Sequence, residues 1–593
     1  MSVMAYMPYG AGGIIIRVET DIRRGIPGVD ITGLAEGAVR EARDRVRAAF
    51  RNSGFSFPLD RILINLAPAG LKKVGAALDL PIALSVMSAA EIVPISGDIL
   101  VMGELELSGR IRPVRGVLAA IAAGLTEGIT EFIVPAENAG EAAILASTGS
   151  LTSRGSLAEK GVRFTAAKTL QGAVHALFIR EEKGGLPASL ETEFETTPQE
   201  AREPSLQEAR KNLPQDAPHF QGAKLTVNTT AEDANLVSLE SSGDFADVCG
   251  QAIYKRALEI AAAGGHNVLA FGPPGAGKTM LARRLPAIMA PLTPDEAVEV
   301  TRLYSLAGPF SHNGDSNMNR FIDRLITRAP FRAPHHSASA EGILGGGRIP
   351  RPGEISLAHF GVLFLDEAPE FRINVLQALR EPLEDRIISI VRAEGPVRLP
   401  AEFQLLMTAN ACPCGRLGMR STAETGNNCF CSPEEINRYW RRFGGALLDR
   451  VEIRVIVRPP KIDEMGRSIF QRSSPQNSSG NTEACESSAA IACRVRAAVE
   501  IQRHRFRGTG VRRNALIPAG KTAELCPLNE KAENAFHIAV AKLGLSARAY
   551  HGILRVSRTI ADLEGKDIIG TEHILEAVQH RRLGEDPWEI ISM

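Results

Sequence analysis

Branched and aromatic apolar residues gather in short runs at Ile14–Val18, Arg61–Leu66, Ile99–Leu107 and Glu131–Val134, a pattern that predicts β-strands. Between these runs, Gly33–Asn52 and Leu78–Ala90 carry apolar residues at helical spacing, with turn signals at Gly109 and Gly116. Residues 1–178 therefore read as an α+β or α/β domain. From 179 to 243 the periodicity stops. Glu, Pro, Gln and Ser dominate this stretch, and it holds too little apolar surface to offset its ordering entropy, so it reads as a flexible linker. Residues 244–465 return to strands alternating with helices, the pattern of a mostly parallel sheet covered by helices. A second polar stretch over 466–488 precedes a helical region, 489–593. There Arg494–Phe506, Glu530–Lys542, Ala547–Leu563 and Thr571–Arg582 are each amphipathic. No internal repeat is visible. The expected fold class is a multidomain α/β protein.

Composition narrows the setting. A chain of 593 residues exceeds what one core accommodates, in line with several domains. Its formal net charge of zero gives no global pull toward nucleic acid or anionic membrane, so any basic surface must be local. No apolar run approaches the roughly 20 residues of a membrane helix. The start, MSVMAYMPYG, lacks the basic and apolar regions of a secretory signal. Eight cysteines, with Cys249 apparently alone and a tight group at 412–431, suit a reducing cytoplasm better than a disulfide scaffold. The expectation is a soluble cytoplasmic protein with no membrane partner.

The chemistry begins at Gly272, Pro273, Pro274, Gly275, Ala276, Gly277, Lys278 and Thr279, which fit G-x-x-x-x-G-K-[ST]. Glycines let backbone N–H groups turn inward to hold phosphates, Lys278 reaches the β/γ oxygens, and Thr279 offers a hydroxyl to Mg²⁺. A chance Gly/Pro-rich surface turn would lack the apolar strand before it (Val268–Phe271) and the helix after it. About ninety residues on, the apolar run Gly361–Leu365 ends in Asp366-Glu367, with a helix predicted over Ile373–Leu383. A carboxylate at the end of such a strand can hold Mg²⁺, and its neighbour Glu367 can activate water as a general base. By itself an apolar run ending in Asp-Glu is common; the preceding phosphate loop gives it weight. A third strand, Phe403–Thr408, leads to Asn410, placed to orient that water.

Cys412-Pro413-Cys414 and Cys429-Phe430-Cys431 form a C-x-C…C-x-C group. Four thiolates suit a closed structural Zn²⁺ site, although the usual pairs are C-x-x-C. Four ordinary cysteines on a Gly-rich loop is the other reading, and both stand at this point.

Longer motifs then carry a resemblance. DFADVCGQ, KRALEIAAAGGHNVLAFGPPGAGKTMLARRLP, RAPFRAPHH, PRPGEISLAHFGVLFLDE and TANACPCG are similar to magnesium-chelatase-like AAA+ ATPases. INLAPAGLKKVGAALDLPIAL, GELELSGRIRPVRGVLAA, FIVPAEN and LGLSARAYHGILRVSRTIADLEG resemble, more closely, the ComM/YifB competence-protein subfamily. The resemblance covers nearly the whole chain except the two linkers. It implies a Lon-protease-like N-terminal domain, an AAA+ P-loop core and a C-terminal helical lid, with ATP and Mg²⁺ as cofactors. It also implies that Arg450, in Leu447-Leu448-Asp449-Arg450, is an arginine finger aimed at the neighbouring subunit's γ-phosphate, and that Arg548, in Ser546-Ala547-Arg548, is a second sensor of the same phosphate. The bland reading of either arginine is a surface salt bridge.

A finger acting between subunits implies a ring, and hexamers are the family norm. Ala338–Pro352 matches a glycine-rich insertion and Arg386–Pro400 a β-hairpin turning at Glu394-Gly395, both facing the pore. Arg348, Arg351, Arg392 and Arg398 would offer charge there to the backbone of single-stranded or branched DNA. His335-His336, flanked by Arg332 and Pro334, read as pore or interface residues. The role implied is branch migration during natural transformation, with recombination proteins as candidate partners. The alternative is a motor that remodels a protein, like the magnesium chelatase ATPase subunit; the chain lacks that system's C-terminal adhesion region. A protease is a third class. The Lon nucleophile motif Gly-Pro-Ser-Ala-Gly is here Gly75-Ala76-Ala77-Leu78-Asp79, and Leu118 in Gly116–Ala119 replaces the catalytic lysine. Lys72 and Lys73 lie nearby without a serine, so acyl transfer has no nucleophile. An interaction or DNA-binding module is the expectation for this domain.

Overall fold

The computed structural model describes residues 3–148 (apart from 36 and 96), 162–182, 243–308 (apart from 249), 324–417 (apart from 393 and 394), 429–459 and 486–582. The predicted linkers lie largely outside these residues, as does Cys249.

In the N-terminal region seven strands form one sheet, in the order Gly28–Thr32, Arg61–Ala67, Gly12–Arg23, Val3–Tyr9, Ile99–Val101, Glu131–Pro135 and Arg163–Ala167. Side chains alternate across Val3–Tyr9. Val3, Ala5 and Met7 join one core with helices Gly37–Asn52, Asp79–Ala89 and Leu170–Glu182, while Met4 and Tyr6 join another with Val117–Thr126 and Ala139–Thr148. Both faces of Val3–Tyr9 are covered, which is why this strand is apolar nearly throughout, whereas Gly12–Arg23, Gly28–Thr32 and Arg61–Ala67 alternate with exposed polar residues.

The expected strand Ile99–Leu107 is broken after Val101, and Glu104–Leu105 pairs instead with Ile111–Arg112. Gly103 sits at the break, where a Cβ would lie 2.7 Å from Ile111 Cγ2. Leu170–Glu182 carries helix past the expected boundary at 178. The protease-like positions are filled structurally. Asp79 is buried and accepts from Arg45 Nε at 2.7 Å and Nη2 at 2.9 Å. Lys73 is buried and donates to the Pro68 carbonyl, and Leu118 lies in the core.

The second sheet has five parallel strands in the order Phe331–Arg332, Val362–Leu365, Gln404–Ala409, Val268–Phe271 and Ile453–Ile456. The loops leaving three of them hold Gly272–Lys278, Asp366-Glu367 and Asn410 at one edge of the sheet. This is the carboxyl-end crevice where open α/β sheets bind ligands. The helix expected over Ile373–Leu383 is two, Ile373–Ala378 and Arg380–Asp385, joined at Leu379.

The two insertions each contain an antiparallel strand pair. Helix Ala340–Leu344 runs into Gly345–Gly346, which pairs with Arg351–Pro352, and Ile387–Arg392 pairs with Gly395–Pro400, with Arg392 opposite Gly395. Glu394 at the expected hairpin turn lies outside the described residues. The insertions lie side by side: a Cβ on Gly345 would be 3.0 Å from Leu399 Cδ1, and one on Gly346 would be 3.4 Å from Arg392 Nη2.

The C-terminal helices are Ser488–Arg505, Glu530–Leu543, Ala547–Leu563 and Thr571–Arg582. The first starts earlier than expected because Ser487 caps it, accepting from Ala490 N. They share a core with helix Ala252–Gly264. Polar links fasten this junction: Gln502 Nε2 donates to Ala263 O at 3.1 Å, and His266 Nε2 lies 2.7 Å from Thr559 Oγ1.

The N-terminal domain rests on helix Pro294–Ala307. Gly116 N donates to Ser305 O at 3.1 Å, and the buried Glu141 carboxylate accepts from the Ser305 hydroxyl and from Leu118 N. Its turn at Gly10 also reaches both insertions, donating to Pro350 O at 3.1 Å and abutting Val397. Among the described residues no helix is long and apolar enough to cross a membrane.

Candidate functional site

Strand Val268–Phe271 is paired on both edges, so the loop that follows it starts from a fixed point. Gly272 passes so close to the last strand that a Cβ would fall 2.1 Å from Val457 O; only glycine fits. Gly275 (φ 75°) and Gly277 (φ 87°) adopt the left-handed conformation that turns successive N–H groups into a concave nest. Lys278 Nζ reaches back across this loop. It donates to Gly272 O and Pro273 O, both at 2.8 Å, and to Asn410 Oδ1 at 3.2 Å. Burial lowers the Lys278 pKa, against the charges of Asp366 and Glu367, which hold it up.

Thr279 Oγ1 donates to Asp366 Oδ1 at 2.9 Å, and Thr408 Oγ1 donates to the same oxygen at 2.5 Å. Thr408 Oγ1 also accepts from Glu367 N at 3.0 Å. Glu367 has φ 50°, a left-handed conformation for a non-glycine residue, which costs on the order of 1–3 kcal/mol and recurs at functional sites. The turn presents its carboxylate to solvent while Asp366 stays tucked beside Thr279. The structure thus brings Lys278, Thr279, Asp366, Glu367 and Asn410 into one crevice.

This arrangement fits MgATP. The nest and Lys278 suit phosphates, and the paired oxygens of Thr279 and Asp366 are hard ligands of the kind Mg²⁺ takes. Three supporting residues escaped the sequence reading. Thr408 fixes both acidic residues, Tyr254 Oη donates to Lys278 O at 3.3 Å, and Gln251 Nε2 donates to Ala276 O at 3.1 Å and Arg458 O at 2.6 Å. The only available signal was placement: Thr408 is two residues before Asn410, and Gln251 closes the DFADVCGQ motif.

Arg450 and Arg548 lie elsewhere. Arg450 Nη1 donates to Ala446 O at 2.7 Å and its other arm pairs with Glu384. Arg548 pairs with Glu384 at 3.2 Å and Asp449 at 3.3 Å. The two arginines share one carboxylate, and Arg450, with Arg548 assisting, holds the Glu384 pKa below its ordinary value. Among the described residues neither has a partner in the phosphate loop. Arg348 and Arg351 on the glycine-rich insertion, and Arg392 and Arg398 on the hairpin, are all exposed.

His335 and His336 stack at 4.0 Å, with His335 Nδ1 2.7 Å from Ser337 Oγ. Among the described residues they join no metal-ligating group. The four cysteines do: the sulfurs of Cys412, Cys414, Cys429 and Cys431 all lie within 4.8 Å of one another.

Comparison with known proteins agrees with this geometry. Three families match successive parts of the chain: magnesium chelatase, subunit ChlI, over residues 244–465; subunit ChlI of Mg-chelatase over 18–138; and the C-terminal part of that subunit over 485–581. Competence protein ComM of Haemophilus influenzae is 37% identical over 97% of this chain and 96% of its own. The YifB protein of Salmonella typhimurium is 36% identical over 96% and 94%. A Lon protease of Solibacter usitatus matches only 21% of this chain and 17% of its own, at 26% identity. With a full-length match of this kind and three successive chelatase-type regions, the chain belongs to the ComM/YifB family of magnesium-chelatase-like AAA+ proteins.

Proposed function

We propose that this chain hydrolyses ATP as a subunit of a hexameric ring that moves along single-stranded or branched DNA in the cytoplasm. The observation that carries the hydrolytic part is the crevice in which Lys278, Thr279, Asp366, Glu367 and Asn410 meet. The N–H groups of Gly272–Thr279 and the Lys278 ammonium bind the phosphates. Thr279 and Asp366 would hold Mg²⁺, which when bound neutralises phosphate charge. Glu367, on its constrained turn, takes the proton of the attacking water, and Asn410 orients that water. Among the described residues Arg450 and Arg548 have no partner in their own phosphate loop, which supports their acting on the next subunit's site.

The DNA part is supported by two adjoining insertions that expose Arg348, Arg351, Arg392 and Arg398. A relative bearing the name competence protein supports a role in taking up and recombining DNA, where moving a branch point is the step such a motor performs. The chelatase-type matches support a second reading, remodelling of a protein partner. ATP turnover measured without DNA, with single strands and with forked DNA separates the two. Stimulation by DNA, lost in Arg392→Ala/Arg398→Ala, supports the DNA motor. A flat response contradicts it and favours remodelling.

A further inference from the structure

The cysteine loop is packed against the hydrolytic crevice. It leaves strand Gln404–Ala409 directly after Asn410, and Trp440 Nε1 fastens it by donating to Ala411 O at 3.1 Å. Gly415 (φ 77°) closes the turn, its N–H donating to Cys412 O at 3.0 Å. A Cβ at Gly415 would lie 3.1 Å from Pro274 Cδ in the phosphate loop and 4.0 Å from Asn410 Cγ. Around this turn the thiols converge. Cys412 Sγ lies 3.3 Å from Cys414 Sγ and 3.6 Å from Cys429 Sγ, and Cys414 and Cys429 are also 3.6 Å apart. No disulfide joins them.

A tetrahedral Zn²⁺ with bonds of about 2.3 Å sets its sulfurs about 3.8 Å apart, close to this spacing. An all-sulfur tetrahedral set selects soft or borderline cations over Mg²⁺ or Ca²⁺. Leu417 N points at Cys412 Sγ at 3.4 Å, the kind of outer contact that steadies a thiolate ligand.

We infer that Cys412, Cys414, Cys429 and Cys431 bind one Zn²⁺ through four thiolates, and that this closed site sets the positions of Asn410 and of the phosphate loop it is packed against. The second half rests on the proposed ATPase activity; the first does not.

Elemental analysis of the full chain purified without added metal is expected to give one zinc per chain. An organomercurial should release it as four thiols react, and Co²⁺ in its place should show the visible bands of a tetrahedral tetrathiolate. Cys414→Ser should lose the metal. Phe430→Ala, whose ring is 80% exposed between two ligands, should keep it. Relative to Phe430→Ala, Cys414→Ser should lose at least tenfold in affinity for a fluorescent ATP analogue or in turnover, whereas Cys414→His, which restores a ligand, should recover both metal and activity. If Cys414→Ser does not fold, mercurial release of zinc from the native chain should weaken binding of the analogue in the same way. A chain with no zinc and no uptake of cobalt, or one that holds iron instead, overturns the metal site. Zinc lost with binding and turnover unchanged overturns the coupling. Zinc present in a chain that neither binds nor hydrolyses ATP supports the metal site and overturns the ATPase reading.

Discussion

Single residues carry the chemistry, and most of them are visible in the sequence because the chemistry leaves little choice. Gly272 has no room for a side chain beside Val457 O, and Lys278 must span the loop, so the motif spells out its own geometry. Thr408 was illegible for the opposite reason. A threonine in an apolar strand reads as an ordinary β-former, and its two partners come from a different strand. Removing the hydroxyl leaves the Glu367 N–H unpartnered, which costs about 1–3 kcal/mol. Thr408→Val should therefore lower turnover about tenfold or more with ATP binding retained, a split that turnover and equilibrium binding together reveal. Glu367→Gln should bind ATP and lose about 10²–10⁴ in turnover, whereas Lys278→Ala should lose binding as well; equal activity of either variant with the native chain would remove these residues from the site.

At the scale of elements, the strands and helices announced by period were present, and the departures have local causes. Gly103 broke a strand that composition alone ran through to Leu107, because Ile111 fills the space where a Cβ would sit. Strand Val3–Tyr9 was missed because both its faces are buried and no alternation marks it. The seam between the ATPase sheet and the C-terminal helices was not legible, since its apolar core and its polar links join residues distant in sequence. His266 is central there. Burial and the charge of Arg555 hold its pKa down at about 3, against an ordinary 6.5. Between those values an unfolded chain binds a proton that the folded chain refuses, so this residue's stability is full above pH 6.5 and is lost as pH falls toward 3. The slope is about 1.4 kcal/mol per pH unit. Denaturant unfolding at several pH values should show that extra slope in the native chain and not in His266→Asn; parallel slopes would contradict it.

For the whole molecule, the N-terminal domain is tied to helix Pro294–Ala307 and to both insertions. Ala77 stands where the Lon nucleophile would be and the core residue Leu118 where its lysine would be, while the domain's Gly10 turn touches both arginine-bearing insertions. How subunits meet is written only in what a single chain leaves incomplete. Among the described residues Arg450 and Arg548 gather on Glu384 with no partner in the phosphate loop of their own chain, as the proposed action on a neighbour's site expects. The most direct test mixes two variants. Lys278→Ala lacks a working phosphate loop and keeps its finger; Arg450→Ala keeps the loop and lacks the finger. Each alone should turn over little or no ATP, and rings assembled from both should regain measurable turnover, because some interfaces then pair an intact loop with an intact finger. A mixture as inactive as its components, or an Arg450→Ala chain as active as the native protein, would contradict a site built from two chains.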